Sequence, residues 1–204
     1  MKRIQKLIAI TGGIGAGKSV VADIVRAAGY AVYDCDQRAK ELMTSSPVIK
    51  QALIAEFGQD IYINDTLNKQ LLSNIVFTDK DALKYVNNTV HPAVREDITK
   101  WVLQQEVMPV FVETALLQEG GIDAMVDLVW NVTAPVETRI QRVIKRNSTT
   151  REKVIERIKS QKELSNIKGV SIIEIINDGT TPLLPQVMKS ILSAWIIYHS
   201  FKSF

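Results

Sequence analysis

The chain has 204 residues, of which 46% are hydrophobic and 23% are charged, a balance that excludes a disordered or fibrous protein and indicates one folded domain. The formal charge of +3 suits small anionic ligands and is too low for a dedicated nucleic-acid-binding protein. The single cysteine, Cys35, excludes an internal disulfide framework and favours a reducing compartment.

The predicted elements alternate between strands and helices along the chain. Short runs rich in Val, Ile and aromatic residues predict five strands, at Leu7 to Thr11, Tyr30 to Tyr33, Val110 to Thr114, Leu128 to Val132 and Ser171 to Ile176. Because these runs are almost continuously apolar, we expect strands that helices cover on both faces. The sequence therefore predicts an α/β fold with a doubly wound, parallel, five-stranded sheet.

Two long segments depart from this alternation, and both are predicted to be helical. Ser46-Pro47, a cap followed by proline, opens a stretch without a convincing strand, which predicts an inserted helical lobe. The other segment is rich in Arg and Lys, breaks at Asn147-Ser148, and restarts at Thr149-Thr150-Arg151-Glu152 with capping-box spacing. We expect a single domain over residues 1–204, with its core at about 1–45, 108–137 and 168–204, the lobe at about 46–107 and a lid at about 138–167.

Neither apolar end of the chain predicts a membrane segment. Leu7 to Ile10 is too short for the core of a signal peptide, and Ile191 to Phe204 is interrupted by polar residues. The latter stretch predicts a terminal helix packed on the core, with a peripheral membrane anchor as the alternative. We therefore expect a cytoplasmic protein with no membrane or nucleic-acid partner, as a monomer or small homo-oligomer.

A glycine-rich loop between the first strand and the next helix carries the strongest signal. It reads Gly12-Gly13-Ile14-Gly15-Ala16-Gly17-Lys18-Ser19, followed by Val20, and fits G-x-x-x-x-G-K-[ST] without a gap. Glycines let successive backbone N–H groups turn inward around phosphates. Lys18 adds a positive charge, and the Ser19 hydroxyl is a ligand for Mg²⁺. The motif predicts binding of Mg²⁺–ATP.

Other nucleotide-binding classes fit the sequence less well. A dinucleotide fold requires G-x-G-x-x-G, but counting from Gly13 ends at Lys18 and counting from Gly15 ends at Val20. A switch GTPase would carry Asn-Lys-x-Asp, whereas Asn68-Lys69 is followed by Gln-Leu. A compact chain with an arginine-rich lid favours a kinase that acts on a small molecule, and we expect the phosphoryl acceptor to be a hydroxyl group.

Two carboxylates follow the second predicted strand. Asp34 and Asp36 come at its carboxyl end, the edge where open α/β sheets bind ligands, and either can serve as the base toward an acceptor hydroxyl. The alternative is that one or both cap the following helix. In the lid, Arg139, Arg142 and Arg146 have i, i+3 and i+7 spacing, so one helix face can direct them to phosphates. A solvated helix face is the alternative for these arginines.

Four further motifs accompany the glycine-rich loop in the sequence: Asp34-Cys35-Asp36, His91-Pro92, Leu116-Leu117-Gln118-Glu119 and Arg142 to Arg146. With these motifs in order, the chain closely resembles the dephospho-coenzyme A kinase family over about residues 4–180. The resemblance implies ATP-dependent phosphorylation of the 3′-hydroxyl of dephospho-CoA, the last step of coenzyme A synthesis. It implies that Asp36 is the base, with Asp34 beside it, and that the acceptor is contacted by His91, Arg95, Leu116 and Glu119. It also implies that Arg142 and Arg146 belong to the lid and that Asn177 lies near the adenine.

The loop after the third strand departs from the family pattern. Ala115 stands where the family usually has proline, and Gln118 where it has an apolar residue. Glu113 replaces the usual aspartate, and we expect it to hold magnesium through water. Two other functions stay open: another small-molecule or nucleotide kinase with the same core, and a nucleotide-binding regulator without catalysis.

Overall fold

The computed structural model describes residues 6–161, 164, 167 and 169–200, the last six of these by their backbone alone. The chain divides into two compact units. One is formed by Met1–Tyr33 and Gln104–Phe204, the other by Asp34–Leu103. The helical lobe predicted at about 46–107 falls mostly within the second unit, which begins before it, at Asp34.

A five-stranded sheet organises the first unit. Its strands are β1 (Leu7–Thr11), β2 (Val32–Asp34), β5 (Val110–Glu113), β6 (Leu128–Thr133) and β7 (Ser171–Ile176), in the spatial order β2-β5-β1-β6-β7. β1 pairs in parallel with β5 and β6, and β6 pairs in parallel with β7. The predicted α/β fold is therefore confirmed.

The centre of the sheet is fully buried, which explains why its strands read as continuous apolar runs. All five residues of β1 are buried. Phe111 and Trp130, on the strands that flank β1, are both 0% exposed, and their ring centroids lie 5.0 Å apart. Helices α1 (Lys18–Ala27) and α8 (Leu183–Ser200) pack on the same core through buried residues such as Val25 and Val187.

The predicted lid consists of two helices, α6 (Val136–Asn147) and α7 (Arg151–Ser160). Ser148, the C-cap of α6, adopts a left-handed conformation, and Thr150, the N-cap of α7, accepts a hydrogen bond from Lys153 N through its side chain. A small apolar cluster that includes Ile140, Val143 and Val154 joins the two helices.

The second unit holds helices α2 (Cys35–Ser45), α3 (Pro47–Phe57), α4 (Lys69–Thr78) and α5 (Lys80–Leu103). Ser46 caps α3 and proline opens it, as the sequence predicts. The structure differs in one respect: β3 (Tyr62–Ile63) and β4 (Thr66–Leu67) form an antiparallel hairpin where no strand was expected. Asn64 and Asp65 make its two-residue turn with positive φ values of 48° and 63°, a conformation that Asn and Asp tolerate.

The last helix of the described chain, α8, starts at Leu183 and buries Val187, Ile191 and Ala194 against the sheet. Ile191 and Ala194 thus pack on the core as predicted for the stretch from Ile191 to Phe204, of which the side chains of 195–200 and residues 201–204 lie outside the described part of the chain. Within the part of the chain that the structure describes, no helix is both long and apolar enough to cross a membrane.

Candidate active site

The glycine-rich loop connects the end of β1 to the start of α1. Gly17 occupies the N-cap position of α1 in a left-handed conformation with φ 97°, and Gly15 has φ 78°. A residue with a Cβ atom adopts such angles only with strain. The loop therefore brings backbone N–H groups to the N-terminus of α1, where the helix dipole favours an anion.

Close packing explains why three of these positions have no side chain. A Cβ atom on Gly12 would lie 2.2 Å from the backbone oxygen of Val132, and one on Gly15 would lie 2.6 Å from the backbone oxygen of Arg139. At Gly17, a Cβ atom would come within 2.1 Å of Asn177 Nδ2. The loop is thus enclosed by β6, α6 and the segment after β7.

Lys18 folds back along the loop that precedes it. Its Nζ donates to the carbonyl oxygen of Gly12 at 2.9 Å and to that of Gly13 at 3.4 Å. The ammonium group therefore lies inside the cradle, where a P-loop lysine contacts the β- and γ-phosphates. Ala16 N also donates to Gly13 O, which closes the turn.

Ser19 and Glu113 bring two hard oxygen ligands together beside the loop. Ser19 Oγ donates to Glu113 Oε1 at 2.7 Å, and Glu113 is 8% exposed at the end of β5. Arg26 approaches the other carboxylate oxygen at 3.9 Å. Among the described residues there is no group of three or more His, Cys, Asp or Glu side chains fit to hold a metal. This set fits Mg²⁺, which takes few protein ligands and keeps phosphate oxygens and waters.

Arg142 and Arg146 of the predicted lid donate hydrogen bonds to different partners. Arg142 Nη1 donates to the backbone oxygen of Asn177 at 3.0 Å, and Arg142 Nη2 donates to its Oδ1 at 3.3 Å. Asn177 Nδ2 in turn donates to Ala16 O at 2.8 Å. Arg146 is exposed and donates to Asn147 at the end of α6. Asn177, which the sequence predicts near the adenine, thus stabilises the glycine-rich loop. Its amide oxygen accepts from Arg142 and its amide nitrogen donates to Ala16 O.

A different pair of lid side chains holds the other end of the loop. Arg139 Nε donates to Ile14 O at 2.9 Å, and Ile14 N donates to Gln161 Oε1 at 2.7 Å. Burial lowers the pKa of Arg139 below the usual arginine value, although the group stays protonated. Sequence reasoning missed Gln161, because an isolated glutamine after a helix has no pattern that distinguishes it from a surface residue.

The same end of the loop opens into a cavity of about 890 Å³. Leu116 and Glu119, both expected on the acceptor side, line this cavity, as does Gln161. Ala115 and Gln118, which depart from the family pattern, also line it. In the segment from Thr114 to Gly120, Leu116 N donates to Thr114 Oγ1, and Gly120 N donates to Leu116 O. Val20, also expected at the nucleotide, is half exposed in the first turn of α1.

Asp34 and Asp36 flank the first residue of α2 in the second unit. Asp34 is the N-cap of α2 and accepts a hydrogen bond from Gln37 N at 2.9 Å. The capping alternative therefore describes the Asp34 side chain. Asp36 is exposed in the first turn of the same helix.

His91 and Arg95 lie one turn apart near the middle of α5, not at a helix end. Pro92 follows His91 inside the helix and cannot donate to the carbonyl group four residues earlier. α5 is tied to α2 by an ion pair in which Arg38 donates twice to Asp97, at 2.9 and 3.0 Å, through Nη2. The pair fixes the helix that carries Asp36 against the helix that carries His91 and Arg95.

Comparison with known proteins identifies the family. A curated dephospho-CoA kinase of Porphyromonas gingivalis is 38% identical over 185 residues, 90% of this chain and 92% of that protein, and one of Bacteroides fragilis is 35% identical over 90% of each. The crystal structure of TT1252 from Thermus thermophilus matches with a TM-score of 0.77 at 31% identity, over 93% of this chain and 97% of that one. The family model for dephospho-CoA kinase (CoaE) matches residues 6–182. With the phosphate cradle and the parallel sheet in place, the chain belongs to the dephospho-CoA kinase family.

Proposed function

We propose that this chain transfers the γ-phosphoryl group of ATP to the 3′-hydroxyl of dephospho-CoA and releases CoA and ADP. Family membership over residues 6–182 supports the substrate pair. The observation that carries the proposal is the enclosed loop from Gly12 to Ser19, with Lys18 Nζ held inside it. The mild net positive charge of +3 and the single cysteine support a cytoplasmic enzyme for anionic small molecules. We expect a monomer or small homo-oligomer.

The donor side is built entirely from the first unit. Backbone N–H groups of the loop from Gly13 to Ser19, except that of Ile14, which donates to Gln161, would neutralise the phosphates of ATP together with the Lys18 ammonium. Ser19 with Glu113 would hold Mg²⁺, Glu113 through water. When bound, Mg²⁺ supplies further neutralisation of phosphate charge. Because Ser19 already donates to Glu113 at 2.7 Å, both oxygens are oriented before any ligand arrives, which lowers the entropy lost on binding.

On the acceptor side we assign the base to Asp36. Asp34 is the N-cap of α2, and Asp36 is the second residue of this helix, which follows the carboxyl end of a sheet strand, the edge where open α/β sheets bind ligands. Asp36 would accept the proton of the 3′-hydroxyl as its oxygen attacks the γ-phosphorus and ADP departs. Asp34 then positions α2 by its cap, and His91 with Arg95 would bind the anionic acceptor.

We propose that Arg146 and Arg142 of the lid have different roles. Arg146 is exposed and would turn toward the phosphates when the lid closes on substrate. Arg142 would keep its bond to Asn177, and this pair would bind the nucleoside end of ATP at the N-terminus of α1. Leu116 and Glu119 would contact the acceptor from the cavity wall.

The direct test measures ADP release with dephospho-CoA, nucleoside monophosphates and shikimate as acceptors. We expect stimulation by dephospho-CoA alone, whereas stimulation by another acceptor would support a different kinase. Asp36→Asn should lower kcat at least about a hundredfold with ATP affinity nearly unchanged, because a general base contributes roughly 10²–10⁴ in rate. Binding of ATP without turnover on any acceptor, together with no effect of Asp36→Asn, would instead indicate a regulator. A wild-type kcat in Asp36→Asn would refute the assignment of the base.

A further inference from the structure

We infer that Gln161 is a γ-phosphate ligand, held in place by the Ile14 amide, through which the lid distinguishes ATP from ADP. The inference rests on the proposed function. Gln161 directly follows α7, and its Oε1 accepts from Ile14 N at 2.7 Å. This bond joins the end of the lid to the phosphate loop.

The direction of the Gln161 amide follows from the chemistry of its partner. A backbone N–H can only donate, so the atom that faces Ile14 must be the carbonyl oxygen of the glutamine. The other branch of the carboxamide is the NH₂ group, which can only donate and is therefore suited to a phosphate oxygen. Gln161 also lines the 890 Å³ cavity beside the loop.

The position along the loop identifies which phosphate is involved. The N–H of Ile14 and the carbonyl of Gly13 belong to one peptide group, and that carbonyl oxygen lies 3.4 Å from Lys18 Nζ. Since a P-loop lysine contacts the β- and γ-phosphates, Gln161 lies at the γ end of the cradle. Arg142 and Asn177 bind at Ala16 O, next to the start of α1 and toward the opposite end.

Arg139 makes the arrangement at Ile14 rigid. Its Nε donates to Ile14 O, so side chains from the two parts of the lid fix both polar groups of Ile14. The loop on either side of Ile14 is glycine, which by itself would leave these peptide groups free to rotate. Held in this way, Gln161 presents its NH₂ group without a further loss of conformational freedom when ATP binds.

The test uses the full chain with Gln161→Glu and Gln161→Met, each titrated calorimetrically with Mg²⁺–ADP and with the Mg²⁺ complex of a non-hydrolysable ATP analogue. Glutamate keeps an acceptor oxygen for Ile14 N–H but replaces the NH₂ group by a second anionic oxygen. We expect it to weaken binding of the analogue by at least about tenfold while ADP affinity changes less than about twofold. Methionine removes both bonds at similar length, and we expect the same selective loss with a smaller factor.

Gln141→Glu is the matched control, because it adds the same charge to an exposed position of the lid. We expect it to leave both affinities within about twofold of wild type. Equal weakening of ADP and the analogue in the two Gln161 variants would show that Gln161 only shapes the loop and would overturn the inference. Unchanged affinity for the analogue would overturn it as well. If wild-type turnover does not respond to dephospho-CoA, the proposed function fails, while the comparison of nucleotides still tests Gln161.

Discussion

Two neighbouring glycines of the phosphate loop should respond very differently to the same substitution. In Gly12→Ala the new methyl group would lie 2.2 Å from the backbone oxygen of Val132, on a residue with φ 144°. The oxygen belongs to β6, which pairs directly with β1, so relief requires the two central strands to separate. We expect the unfavourable φ to cost about 1–2 kcal/mol and the overpacking about 1–3 kcal/mol.

In Gly13→Ala the obstacle is instead the end of a flexible side chain. The added methyl group would lie 2.3 Å from Arg139 Nη2, and the guanidinium can move away. Loss of the bond from Arg139 to Ile14 O removes about 0.5–1.5 kcal/mol, and the smaller conformational freedom of the unfolded chain returns about 0.4–1 kcal/mol. The net change in unfolding free energy should stay within about 1 kcal/mol.

Thermal unfolding followed by circular dichroism compares the two variants. For a chain of this length, a change of 1 kcal/mol in unfolding free energy corresponds to about 2–4 °C in Tm. A loss of about 3 kcal/mol in Gly12→Ala therefore predicts a Tm lower by about 6–12 °C. The change within about 1 kcal/mol in Gly13→Ala predicts a shift of less than about 4 °C. A Tm in Gly13→Ala as low as that of Gly12→Ala would contradict this expectation. It would mean that the Arg139 guanidinium is as fixed as the backbone of β6.

Two further predictions concern single side chains. Hydrogen bonds from Thr181 N, Thr180 N and the Thr181 hydroxyl hold the pKa of Asp178 well below its usual value, so its stabilising effect is present above about pH 4 and lost as pH falls further. Denaturant titrations between pH 2 and 7 should show a flatter acid limb in Asp178→Asn, and equal slopes for both proteins would count against this. Trp130 Nε1 is buried without a hydrogen-bond partner among the described residues. Trp130→Phe should therefore lower the unfolding free energy by less than about 1.5 kcal/mol, because removal of the unpaired donor offsets the lost packing. Phe111→Ala should lower it by about 3–5 kcal/mol. Equal losses in the two variants would contradict this prediction.

The main elements of the fold could be predicted because their signals are local. Strands β1 and β7 have the predicted bounds, and β2, β5 and β6 differ at their ends by one or two residues. The hairpin from Tyr62 to Leu67 was missed because each strand has only two residues, too few to show alternation. Its Asn64-Asp65 turn was the available signal.

The site was less predictable, because long-range contacts determine what each side chain does. Helical spacing places Arg139 and Arg142 near one face, but the partners that meet them differ: Ile14 O for the first and Asn177 for the second. The role of Gln161 depends on a contact across 147 positions in the sequence. No local sequence pattern indicates a contact between residues so far apart in the chain. The loop itself was predictable because its whole signal lies within eight consecutive residues, from Gly12 to Ser19, and no long-range contact is needed to recognise it.

Transfer of the γ-phosphoryl group can be followed with labelled ATP in a reaction with dephospho-CoA and Mg²⁺. We expect the label to appear on the 3′-oxygen of the ribose in a one-to-one ratio with ADP, and Lys18→Ala to abolish the transfer. Label released as inorganic phosphate at the same rate with and without dephospho-CoA, or transfer that survives in Lys18→Ala, would contradict the proposed function.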